Sequence, residues 1–104
     1  MATRYHLIIS PRASADIHAI HKYIAQDSEQ NAASMIQKLI DSLDGLEEFP
    51  HRYRVAEQVK SQRGETRVML VLPYLVYYRI MDKQWAVQVI TIRHGARRQP
   101  KRLD

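Results

Sequence analysis

Two apolar stripes at helical spacing, joined by a connection only a few residues long, constrain this chain more than any other feature. Ser10-Pro11 reads as an N-cap followed by proline at the first helical position, where its missing N–H costs nothing. From there Ala13, Ile17, Ile20 and Ile24 recur at steps of four, three and four, so one face of residues 11–25 is apolar and packs inward. Asp27 or Ser28 caps a second helix, with Gln30 suitably placed to complete a capping box with Asp27. Its stripe runs through Ala32, Met35, Ile36, Leu39, Ile40, Leu43 and Leu46 and is ended by Phe49-Pro50. So short a connection admits only an antiparallel helical hairpin. Core packing accounts for the second stripe better than a dimerisation seam does, because that face must be buried somewhere.

Tyr5 to Ile9, before the hairpin, reads as a short strand. After it come three β-branched and apolar runs: Val68 to Leu72, Leu75 to Met81 and Trp85 to Ile92. Only Pro73-Tyr74 and Asp82-Lys83-Gln84 separate them, which makes them an antiparallel meander. The predicted fold is α+β: an antiparallel sheet with an N-terminal helical hairpin packed on one face, in the order strand-helix-helix-strand-strand-strand. One domain spanning residues 1–104 accommodates it, since 104 residues leave no room for a second core. His51 to Glu65 is polar and irregular and reads as a loop with a strand start.

Both alternating faces of Val68–Leu72 and Val87–Ile92 are largely apolar, although two helices can cover only one face of a sheet. Either a partner chain or the 51–65 segment must cover part of the other. Charge adds a second hint. Residues 1–50 hold four Lys/Arg against seven Asp/Glu, a balance of −3, whereas residues 51–104 hold twelve against four, or +8. Such segregation points to an acidic or polyanionic partner. The candidate contact residues are Arg93, His94, Arg97 and Arg98, where the last strand exits.

The chain has no cysteine, which excludes disulfides and thiolate metal sites. With no apolar leader either, this predicts a reducing cytoplasm. No run is long enough to span a bilayer. The histidines at 6, 18, 21 and 51 lack metal-ligand spacing, and Gly64 is isolated, so neither a metal nor a nucleotide cofactor is expected. Period-two alternation places Tyr77 and Arg79 on one face with Leu75 and Met81, and Tyr78 on the other. A guanidinium on a mid-sheet strand needs an anion: Glu65, a partner's carboxylate, a phosphate, or Asp44 or Glu48 of the second helix. Gly95 is expected to permit positive φ as the chain leaves the sheet.

Five segments together carry a family resemblance: Ile8-Ile9-Ser10-Pro11-Arg12-Ala13, Tyr23-Ile24-Ala25, Leu46-Glu47-Glu48-Phe49-Pro50, Tyr74-Leu75-Val76-Tyr77-Tyr78-Arg79 and Ile92-Arg93-His94-Gly95-Ala96-Arg97. In this order, nearly end to end, they resemble the ParE toxins of the RelE/ParE superfamily, also called plasmid stabilisation proteins. The resemblance implies a bacterial type II toxin neutralised by a cognate antitoxin, whose flexible C-terminal segment folds onto the toxin. Val68, Leu70, Tyr77 and Arg79 are the candidate antitoxin contacts, in a homodimer or a toxin–antitoxin heterotetramer.

The superfamily splits into two activities. ParE-like members act on DNA gyrase and block replication, while RelE-like members cut messenger RNA at the ribosome. Metal-free RNA cleavage needs a base, an acid and cations for the pentacoordinate phosphorus. His94, Arg79 and Arg67 are the candidates here, with Glu57 or Glu65 as base. The RelE-like nucleases carry a C-terminal Tyr or His-Tyr near the phosphate, and here His94 is followed by Gly95. That departure favours gyrase and binding, with no catalytic residue, over the nuclease. A third reading is an attenuated toxin that persists as a corepressor with its antitoxin.

Overall fold

The computed structural model of the chain describes residues 4–56 and 65–95. Helix α1 spans Pro11–Ala25 and helix α2 spans Glu29–Gly45. Ser10 opens α1, its hydroxyl oxygen accepting the Ala13 N–H at 3.0 Å, with Pro11 at the first helical position. Of the two candidate caps on α2, Ser28 is the one used: its Oγ accepts the Asn31 N–H at 3.1 Å. Residues 26–28 are the whole connection, so the chain reverses at once.

The strands are β1 (His6–Ile9), β2 (Thr66–Val71), β3 (Tyr74–Met81) and β4 (Ala86–His94), in one sheet of order β1-β4-β3-β2. β2, β3 and β4 form the antiparallel meander, and β1 joins it parallel to β4, pairing His6 with Ala86 and Ile9 with Val89. Parallel neighbours require a long connection, here the helical pair followed by β2 and β3. Trp85 precedes β4 in the left-handed region (φ 50°), closing the short Asp82–Gln84 turn instead of starting the strand.

Ala13 and Ile20 of α1 and Leu39 and Leu43 of α2 pack with Leu46 against Met69, Val71, Tyr74, Val76, Tyr78, Val87, Val89 and Ile92. This is the main core. Tyr78 is fully buried, and its hydroxyl donates to the Pro50 carbonyl at 2.6 Å. Burial pushes its pKa well above the ordinary 10.0, and the Arg67 charge partly opposes the rise.

On the opposite face Val68, Tyr77 and Ile90 are buried with Ala56, and Leu75 packs on them. Part of the cover expected for this face is therefore the segment after the second helix. Val55 bridges to Arg67, the Ala56 N–H donates to the Thr66 carbonyl at 2.8 Å, and the Val68 N–H donates to the Arg54 carbonyl at 3.1 Å. Residues 54–56 (Arg54, Val55, Ala56) thus hold the outer edge of β2 as a short extended piece. Leu70 and Leu72 stay 56% and 68% exposed.

Candidate functional site

The site takes shape at the end of β4. Tyr78 pairs with Val89 but Tyr77 pairs with Thr91, so Ile90 is an extra residue and the strand carries a β-bulge. Val89 and Ile92 both enter the helix-side core while Ile90 enters the opposite cluster. The bulge resets the alternation. Arg93 stands opposite Leu75, away from the helices, and His94 stands opposite Tyr74 on the helix side, with its ring at 5.5 Å in an edge contact.

β1 stops at Ile9, and past it α1 takes over the flank of β4. The Ser10 hydroxyl donates to the Ile90 carbonyl at 2.8 Å. Asp16 Oδ2 accepts the Ile92 N–H at 2.9 Å and the Thr91 hydroxyl at 2.6 Å. Beside this contact an open groove of about 530 Å³ runs between Asp16, Ala19, Ile20 and Tyr23 of α1 and Tyr74, Ile92, Arg93 and His94 of the sheet, so that both Arg93 and His94 border it. Gly95 closes the strand by donating its N–H to the Pro73 carbonyl at 2.8 Å. Its backbone is not left-handed, contrary to expectation. Glycine is needed for space, because a Cβ would lie 3.2 Å from that same carbonyl oxygen.

The candidate residues distribute unevenly over this frame. Arg67 lies on the helix side, where Nη1 donates to the Tyr53 carbonyl at 2.7 Å and the His51 carbonyl at 3.2 Å, and Nη2 meets Glu65 at 3.1 Å. Arg79 is 5% exposed and, two residues from Tyr77, faces away from the helices, so the sheet separates it from Asp44 and Glu48. His94 pairs with Tyr74, five residues along β3 from Arg79, or roughly 17 Å at strand rise. Arg67, Arg79 and His94 therefore do not converge. Val68 and Tyr77 are buried at 2% and 3% exposed, whereas Leu70 is open. Burial pushes the Tyr77 pKa up, partly offset by Arg54. Arg97, Arg98 and Glu57 lie outside the described residues.

Sequence reasoning passed over Asp16. The signal was present: Asp16 is three residues after Ala13 and four before Ile20, a lone carboxylate within the apolar stripe of the first helix. Among the described residues no three His, Asp or Glu side chains gather as a metal site, and no helix is long and apolar enough to cross a membrane.

The family model "ParE toxin of type II toxin-antitoxin system, parDE" matches residues 7–99, nearly the whole chain. The protein belongs to the ParE toxin family. This ParE-family toxin is 36% identical to Toxin RelE2 of Caulobacter vibrioides over 86 residues, covering 83% of this chain and 90% of that protein. Its fold is shared with a toxin–antitoxin complex, RelBE2 of Mycobacterium tuberculosis (TM-score 0.65, 19% identity, 91% of this chain and 95% of the other). It is shared also with the chromosomal ParDE system of P. aeruginosa (TM-score 0.61, 20% identity, 89% of this chain and 98% of the other). The α+β order of this ParE-family toxin is that of ParE and RelE toxins.

Proposed function

We propose that this toxin works by binding its target, that the target is DNA gyrase, and that a cognate antitoxin neutralises it. The observation that carries the reading is the dispersal of the nuclease candidates. Cleavage of RNA needs a base, an acid and cations around one phosphate. Arg67 is engaged by two backbone carbonyls and Glu65, Arg79 is buried behind the sheet, and His94 stands at the far end of β3 and β4.

The effector surface is the exit of β4, with Arg93 and His94 leading to Arg97 and Arg98. Support for an antitoxin comes from the solved relatives, which include a toxin–antitoxin complex and a ParDE system. The antitoxin seats on the open apolar end of the second sheet face, where Leu70 pairs with Leu75 and Leu75 with Arg93. A segment covering these leucines also covers Arg93, so neutralisation follows from occlusion. An acidic group opposite Arg93 would suit the basic second half of the chain.

Supercoiling by purified gyrase, titrated with the toxin alone and then with its antitoxin, tests the proposal. Loss of supercoiling at micromolar toxin, restored by antitoxin, is the expected result. Unimpaired supercoiling combined with new cleavage ends on translated messages by primer extension would replace it with the ribosome-dependent nuclease.

A further inference from the structure

We infer that Asp16 is a positioning residue for the effector surface: by holding the β4 bulge it fixes which face of the sheet Arg93 and His94 present. The inference rests on the proposal that these two residues meet the target. In a strand, a one-residue change of register sends every later side chain to the other face. Without the extra residue at Ile90, pairing would continue Tyr77 to Ile90, Val76 to Thr91, Leu75 to Ile92 and Tyr74 to Arg93. Arg93 would then turn toward the helices, and Ile92 would leave the core in which it is now 3% exposed.

The bulge leaves backbone groups that no strand can satisfy, because β1 has already ended. α1 supplies the missing partners. Ser10 takes the Ile90 carbonyl, and the Asp16 carboxylate takes both the Ile92 N–H and the Thr91 hydroxyl. Thr91 is fully buried, so removing the carboxylate strands a buried hydroxyl together with a backbone donor. Both donors lie within two residues of Arg93. A carboxylate in an otherwise apolar stripe is a costly choice for packing alone. It gains a charge-assisted contact to the one segment whose orientation the surface depends on. The same contact also sets α1 against β4, and with it the floor of the groove where His94 meets Tyr74.

The test uses full-length Asp16→Ala and Asp16→Asn, with Ser28→Ala, which lacks the α2 cap, as a destabilised control. Two readouts are taken at a temperature where all four proteins are folded: the dose for growth arrest, and the NMR shift that the Tyr74 ring imposes on His94. Asp16→Ala is expected to need about tenfold more toxin or greater and to lose the His94 shift, as removal of charge-assisted hydrogen bonds predicts. Asp16→Asn keeps an acceptor and should restore both, and Ser28→Ala should change neither. An Asp16→Ala protein with wild-type potency, or one whose potency falls only as far as the Ser28→Ala control, would overturn the inference. Failure of the gyrase reading looks different: wild-type toxin leaves supercoiling intact while the Asp16 variants still shift growth arrest and the His94 signal.

Discussion

Replacing Arg67 separates a structural guanidinium from a chemical one. Its side chain is 16% exposed, and its strongest bond is the 2.7 Å contact to the part-buried Tyr53 carbonyl. A charged hydrogen bond of this kind contributes about 1.5–3 kcal/mol. The Glu65 pair, whose carboxylate side chain is 57% exposed, adds at most about 1 kcal/mol. Arg67→Ala is therefore expected to cost about 2–4 kcal/mol, a large part of a typical stability of about 5–15 kcal/mol. For a chain of this size that lowers Tm by roughly 10–25 °C. Arg67→Lys, which offers one point donor in place of a fork, should fall between the two. Urea unfolding followed through the single tryptophan, Trp85, which packs on Tyr5 at 5.1 Å, reads the effect. If Arg67→Ala kept wild-type stability within about 0.5 kcal/mol yet lost about a hundredfold in specific activity, the structural assignment would be wrong and the guanidinium would be doing chemistry.

Three further outcomes follow from the same geometry. Tyr5, Tyr77 and Tyr78 all have pKa values raised above the ordinary 10.0, burial being the first cause in each and the Asp82 contact adding to it for Tyr5. Their folded state holds the phenolic proton more tightly than the unfolded chain, so this contribution is complete below pH 10 and lost as pH rises above it. A stability that stays flat through alkaline titration, with phenolate absorbance appearing in the native protein at the ordinary pKa, would contradict this. Gly95→Ala presses a methyl group against the Pro73 carbonyl oxygen, which is backbone and yields little, so urea unfolding should show a loss of about 1 kcal/mol; equal stability would mean the turn has slack. Leu70→Glu places a charge on an open apolar position and should weaken antitoxin binding by about tenfold or more in calorimetry while leaving the fold intact, whereas unchanged affinity would move the antitoxin elsewhere.

What the sequence made legible was mostly local. Ser10-Pro11 announced α1 because a cap and a proline act within one turn, and the stripes from Ala13 to Leu46 announced the hairpin because helical burial repeats along the chain. The same logic separated Tyr77 from Tyr78 across β3. Pairing between distant segments was less visible. Nothing near His6–Ile9 specifies a parallel neighbour, and β4 comes beside β1 only after the chain has passed through the helices, β2 and β3. The bulge at Ile90 was hidden in an unbroken β-branched run, with no glycine to mark it. Arg67 read as a candidate for catalysis because its partners are backbone carbonyls, which no side-chain pattern reveals.

Arg93 and His94 are neighbours in the chain and occupants of opposite faces, and this has a consequence for how the proposed surface is used. A partner lying flat on the face away from the helices meets Arg93 alone. A partner entering the groove beside α1, which both residues border, touches both. On the proposed seat, an antitoxin held by Leu70 and Leu75 would cover Arg93, the pairing partner of Leu75, and leave His94 in the groove beside α1. If its target needs both residues, covering one is enough to silence the toxin. Neutralisation on this geometry requires no change of shape in the toxin, only the loss of one half of a surface that the β4 bulge has divided between two faces.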